Sequence, residues 1–169
     1  YQKPDGYDKE NVKALLDVKK TDESYPNVIA VMSEAFFDIR EAKNIKFNKN
    51  PLPTYTKLKK EGIYGDIIVP GFAGNTSSAE FEFLTGVNIS LIDKGMPVPY
   101  KTFLTKKAYS LVRHFKDEGF DTVAMHPGFK WFYNRGVAYN ALGFNRTIFI
   151  EDLDYKPSMT NYYANDSEA

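Results

Sequence analysis

The chain reads as an α/β protein, with a mostly parallel sheet doubly wound by helices on both faces. Three observations predict this. Short continuous apolar runs recur at 27–34, 63–70 and 120–125, and such runs mark strands buried on both faces. Stretches with helical spacing separate them, the pattern of βαβ units. No internal repeat or low-complexity linker interrupts the alternation.

Composition narrows the function classes. With 169 residues, 43% hydrophobic and 26% charged, the chain is long and apolar enough for one folded domain with a sizeable core. The balance of 22 basic and 22 acidic residues argues against a nucleic-acid partner, which needs a basic stripe. The absence of cysteine excludes disulfides, thiol catalysis and a thiolate zinc site. The 13 phenylalanines and 12 tyrosines suit clefts, where a ring buries and a hydroxyl finds a partner. No apolar run approaches the roughly 20 residues of a membrane span.

The elements follow in order. Residues 1–25 form a polar lead-in, with Val12, Leu15 and Leu16 on one face of a short helix near 9–18. "NVIAVMSE" at 27–34 is the first buried strand. "PLPTYTKLKKEG" at 51–62 is a helix opened by proline and closed by glycine. "IYGDIIVP" at 63–70 is the second strand. "GNTSSAEFEFLTG" at 74–86 is a small-residue loop running into a helix, with Ser78 the expected N-cap. "TKKAYSLVRHFKDEG" at 105–119 places Ala108, Leu111, Val112 and Phe115 on one stripe and ends at Gly119. "FDTVAM" at 120–125 is the third strand, "GVAYNALGF" at 136–144 a short helix, and "RTIFIEDL" at 146–153 a last strand. The chain opens on Tyr1, and "NDSEA" at 165–169 resembles a helix start. Residues 26–169 are therefore expected to be an incomplete domain.

Open α/β sheets bind ligands at the carboxyl ends of their strands. Glu34 ends the first strand and offers a hard oxygen to a divalent metal, or simply reaches solvent. Thr76 follows the second, just ahead of a helix whose amino end favours negative charge. A hydroxyl there, beside a metal, loses its proton more readily and becomes a nucleophile. His126 ends the third strand. Asn134 and Arg135 follow it and could form an anion pocket walled by Trp131, Phe132 and Tyr133. The plain alternatives are a structural His126 packed under Trp131 and an Arg135 that caps its loop. His114 is read as solvated.

Taken together, "PNVIAVMSEAFFD", "GNTSSAEFEFLTG" and "HPGFKWFYNRGVAYNALGFNRTIFIEDL" resemble the lipoteichoic acid synthase group of phosphoglycerol transferases, within the alkaline phosphatase and sulfatase superfamily. The likeness spans roughly 26–155. It implies an alkaline phosphatase-like fold displayed on the outer face of a bacterial cell membrane, behind membrane anchors outside this chain. It implies Thr76 as nucleophile, and Glu34 and Thr76 as ligands of a divalent metal, manganese ahead of zinc or magnesium. It implies His126 and Arg135, with Tyr133 and Asn134 beside them, as contacts to a phosphoglycerol group. The reaction implied takes glycerol phosphate from a phospholipid head group through a phosphothreonine to a cell-envelope polymer or glycan. Glu34 and Thr76 are then expected within about 5 Å of each other, since both bind one ion. The resemblance places the remaining metal ligands, an aspartate and a histidine, beyond Ala169, so the chain alone is expected to be inactive.

Two departures stand out. Gly128 occupies a position that is acidic in those synthases, and Tyr133 stands where they have tryptophan. A sulfatase is disfavoured, because the matched position is a threonine rather than a cysteine or serine. Another phosphotransferase or phosphodiesterase of the superfamily, or a non-catalytic envelope binding module, are the alternatives.

Overall fold

Local punctuation sets the helices. The structure is a computed structural model that describes residues 8, 10, 25–33, 36–70, 75–92, 98–160 and 163–165. The chain divides into two units, Tyr1–Met32 and Ser33–Ala169. In the first unit the Glu10 N–H donates to Asp8 Oδ1 at 3.0 Å. The helix expected near 9–18 lies outside the described residues, as does the helix start expected near Asp166.

In the second unit, helix α1 (Pro53–Glu61) has proline in its first turn and ends at Gly62, as expected. A short 3₁₀ turn, Ile39–Glu41, precedes it. Arg40 ties that turn to α1 by donating from Nη1 to Thr56 Oγ1 at 2.7 Å, while its other nitrogens hold Asp38. Helix α2 (Thr76–Thr85) ends at Gly86 in the left-handed region. Helix α3 (Pro99–Thr102) is a single turn opened by proline.

Helix α4 (Leu111–Asp117) is shorter than the 105–119 stripe suggests, because Ser110 stops it. The Ser110 Oγ accepts the Arg113 N–H at 3.1 Å, an N-cap, and donates to Leu142 O at 2.6 Å. That second bond satisfies a carbonyl at the end of helix α5 (Arg135–Leu142). Arg113 adds two more bonds, from Nε to Ala108 O at 2.8 Å and from Nη2 to Ala141 O at 2.9 Å. The amino end of α4 thus meets the carboxyl end of α5, an arrangement that helix dipoles favour.

Strand β1 (Val123–Met125) pairs in parallel with β2 (Arg146–Ile148), with Ala124 opposite Thr147. Helix α5 makes the crossover between them, giving one βαβ unit. The strand expected over 146–153 stops at Ile148 and becomes a 3₁₀ turn at Ile150–Asp152. A small antiparallel pair, β3 (Met159–Thr160) and β4 (Tyr163–Ala164), was not expected. The core gathers Phe81, Tyr100, Leu104, Ala124, Ala138, Tyr139, Leu142 and Phe149.

Two expected strands are not formed among the described residues. The 27–33 and 63–70 runs carry no ladder partner, and Ile29 and Ile68 stand 86% and 100% exposed. The physical reason is that a run of valines and isoleucines is only a potential strand. Neighbouring strands must satisfy its backbone and covering helices must bury its two faces, and among the described residues nothing does either.

Candidate active site

Thr76 is the first residue of α2 and is half-buried. Asn75 before it lies in the left-handed region at φ 66° and makes no side-chain cap to the helix. Asparagine tolerates that region, so the chain turns into the helix earlier than expected. Ser78 is therefore not the N-cap. It is the third helical residue, buried, with no hydrogen-bond partner for its Oγ. Ser77 donates to Asn75 Oδ1 at 3.2 Å. Thr76 is left at the amino end of a ten-residue helix, where backbone N–H groups and the helix dipole favour an anion.

One turn further along α2, Glu80 anchors the helix. Its Oε2 accepts from the Tyr100 hydroxyl at 3.0 Å, the Tyr139 hydroxyl at 3.2 Å and Arg135 Nε at 3.3 Å. Its Oε1 accepts from Arg135 Nη2. Arg135 is 1% exposed. A cation so buried is tolerable only beside an opposite charge. Burial pulls the Arg135 pKa down, but the hydrogen bond and charge of Glu80 outweigh it and the net direction is upward. Burial first, and then the Glu80 charge, push both Tyr100 and Tyr139 up, so both phenols stay neutral.

Arg135 does not cap its loop. Two of its nitrogens face Glu80, while Nη1 is buried and has no partner. Its guanidinium lies 5.2 Å from the Tyr133 ring and 5.8 Å from the Phe132 ring. Tyr133 and Asn134 are consecutive left-handed residues, at φ 53° and 63°. For a bulky tyrosine this costs on the order of 1–2 kcal/mol, strain of a kind that gathers at functional sites. Asn134 Nδ2 donates to Tyr100 O at 3.5 Å.

His126 continues the β1 ladder by donating its N–H to Ile148 O at 2.9 Å. Its ring lies 6.4 Å from that of Phe149, whereas Trp131 is 68% exposed and stacks on Phe129. Phe149 in turn stacks on Tyr139 at 5.7 Å. A chain of contacts therefore runs from His126 through Phe149 and Tyr139 to Glu80 on the helix that Thr76 begins. His114 is exposed, as expected.

The described structure thus draws Arg135, Tyr133 and Asn134 around Glu80 and Tyr100, and links His126 and the Thr76 helix to the same core. Glu34, and with it the Glu34–Thr76 pair, lies outside the described residues. Among the described residues no group of three or more His, Asp or Glu side chains could hold a metal ion. The described residues do not by themselves make a metal centre. Glu80, Tyr100 and Tyr139 were not singled out from the sequence. The available signal was a carboxylate between Ala79 and Phe81 on a helix, with Phe81 itself buried.

The chain's likeness to known proteins is one of sequence and fold. A family model described as "Sulfatase" matches residues 26–169. A Rhizobium meliloti protein named for cyclic beta-1,2-glucan modification is 35% identical over 83% of this chain and 21% of its own length. The capsular polysaccharide biosynthesis protein RkpI of the same organism is 27% identical over 86% of this chain and 27% of its own. The chain therefore spans about a quarter of the length of these relatives. The crystal structure of the lipoteichoic acid synthase LtaP from Listeria monocytogenes superposes with a TM-score of 0.60, at 22% identity, over 73% of this chain and 29% of that one. Superfamily members are hydrolases and transferases that use divalent metals. No described helix is long and apolar enough to cross a membrane. The family match over 26–169 and the shared fold agree, and the chain belongs to the sulfatase family, on an alkaline phosphatase-like α/β frame.

Proposed function

We propose that this chain carries the nucleophile and phosphate contacts of a phosphoglycerol transferase that modifies a cell-envelope glycan or polymer at the outer face of a bacterial membrane. The observation that carries the reading is Thr76 at the amino end of α2, a helix tied to the Arg135 region by Glu80. In the first step Thr76 Oγ1 attacks the phosphorus of a phosphatidylglycerol-type donor. The bond to the lipid alkoxide breaks, the lipid alcohol leaves with the proton, and phosphoglycerol remains on threonine. In the second step an acceptor hydroxyl attacks the same phosphorus, gives up its proton, and Thr76 is regenerated.

The α2 amino end and His126 would supply donors to the phosphoryl oxygens, and Arg135, buried and paired with Glu80, would add its positive charge from behind them rather than by direct contact. Tyr133 and Asn134 shape the wall beside them. Glu34 and Thr76 are proposed as oxygen ligands of a divalent metal, manganese first, which when bound would lower the cost of negative charge at the threonine. A glycan acceptor is favoured because two relatives are named for glucan modification and capsular polysaccharide biosynthesis.

The test uses the full-length enzyme, with a labelled phosphatidylglycerol donor. Thr76→Ala is expected to abolish both transfer and the covalent phosphoenzyme, and Thr76→Ser to keep part of each. Near-normal turnover by Thr76→Ala would move the nucleophile elsewhere, with Ser77 first in line.

A further inference from the structure

We propose that Gly128 is a positioning residue for His126, fixing the ring so that it presents a protonated Nε2. Its significance for transfer rests on the phosphoglycerol reading above, although the geometry stands without it.

The observations are local. The Gly128 N–H donates to His126 Nδ1 at 2.9 Å. A neutral imidazole whose Nδ1 accepts a hydrogen bond must carry its proton on Nε2. The ring lies so close to the glycine that a Cβ there would stand 2.8 Å from His126 Cε1 and 3.1 Å from Nδ1. No left-handed backbone is involved, since Gly128 is not among the positive-φ glycines. Glycine is required for space. Any side chain would push the ring away and break the bond that fixes its tautomer.

The surroundings make the contact rigid. The Ile150 N–H donates to Gly128 O at 3.3 Å, and the Lys130 N–H donates to both Glu151 carboxylate oxygens at 3.2 Å. His126 itself is held to Ile148 at 2.9 Å. The 126–130 loop is thus tied once to the end of β2 and at two places to the segment after it, and the ring cannot escape a Cβ by small loop movement. A histidine held this way is a committed donor at Nε2, suited to a phosphoryl oxygen or a departing alkoxide. An acidic side chain, expected here in the lipoteichoic acid synthases, cannot share the position with this ring placement.

The test is nitrogen-15 NMR of the full-length protein labelled in histidine, with the His126 signals assigned by their loss in His126→Gln. At a pH where the ring is neutral, His126 is expected as a single tautomer, protonated at Nε2 and bare at Nδ1. Gly128→Ala is expected to mix or reverse the tautomers and to lower kcat/KM for phosphoglycerol transfer about tenfold or more, the scale of a misplaced proton donor. A wild-type His126 protonated at Nδ1 would overturn the proposal whatever the variant does. So would a folded Gly128→Ala that kept both tautomer and activity. If Gly128→Ala fails to fold, the wild-type tautomer alone decides. A fixed Nε2–H tautomer, lost in Gly128→Ala, in a protein without transfer activity would uphold the positioning and overturn the phosphoglycerol reading instead.

Discussion

Removing Glu80 should unfold much of the site without touching its nucleophile. In Glu80→Ala, Arg135 stays 1% exposed but loses its acidic partner, and the Tyr100 and Tyr139 hydroxyls lose their acceptor. Breaking a buried ion pair from one side costs about 3–5 kcal/mol. Each buried hydroxyl left unpaired adds about 1–3 kcal/mol. The terms do not add fully, since three of the four donors share Oε2 and the cavity can admit water. A loss of about 4–6 kcal/mol is therefore expected, against a typical domain stability of about 5–15 kcal/mol. Glu80→Gln keeps the shape and an acceptor oxygen, and should cost less, about 2–3 kcal/mol, as the charge alone is lost. The assay is urea unfolding of the full-length enzyme with a double-mutant cycle on Glu80→Gln and Arg135→Met. The double variant should recover part of the loss, because replacing both ends of a buried pair is milder than removing one. A Glu80→Ala protein within about 1 kcal/mol of wild type would show that the network is not what holds α2 to α5.

Other consequences follow from single contacts. Ser110→Ala removes the α4 cap and strips a partner from Leu142 O, so thermal unfolding should report a loss of about 1–2 kcal/mol. Tyr100 and Tyr139 have folded-state pKa values raised above the ordinary phenol value, so their contribution is intact below about pH 10 and is lost as pH rises beyond it. Alkaline titration should therefore show two phenols that ionise only with unfolding, and Tyr139→Phe should remove one of them. The hydrogen bond from Arg40 holds the Asp38 carboxyl down at about 2. Its stabilisation is present above the ordinary aspartate range and is lost as pH falls through about 2, which carbon NMR of the labelled carboxyl would follow.

The sequence by itself determined what depends on near neighbours. Pro53 and Gly62 bound α1, Gly86 ends α2 and Gly143 ends α5, because a ring-locked φ or a left-handed residue acts within one turn of chain. The 123–125 strand, the helix after it and the parallel partner at 146 were legible for the same reason, since one βαβ unit is nearly local. The strings around Thr76 and His126 were enough to point to the family that the comparison then showed. What the tertiary structure decided was everything that needs a distant partner. The apolar runs at 27–33 and 63–70 read as strands, but burial belongs to the pairing and not to the run, and among the described residues neither is paired. The stripe from Ala108 to Phe115 hid the stop at Ser110, whose second bond reaches Leu142, 32 residues away. Arg135 read as an open anion fork, yet two of its nitrogens are turned to Glu80, 55 residues earlier in the chain. Charge complementarity across that distance leaves no periodicity to read. Only the fold brings the carboxylate and the guanidinium out of water together, and it is that shared burial that makes the pair necessary.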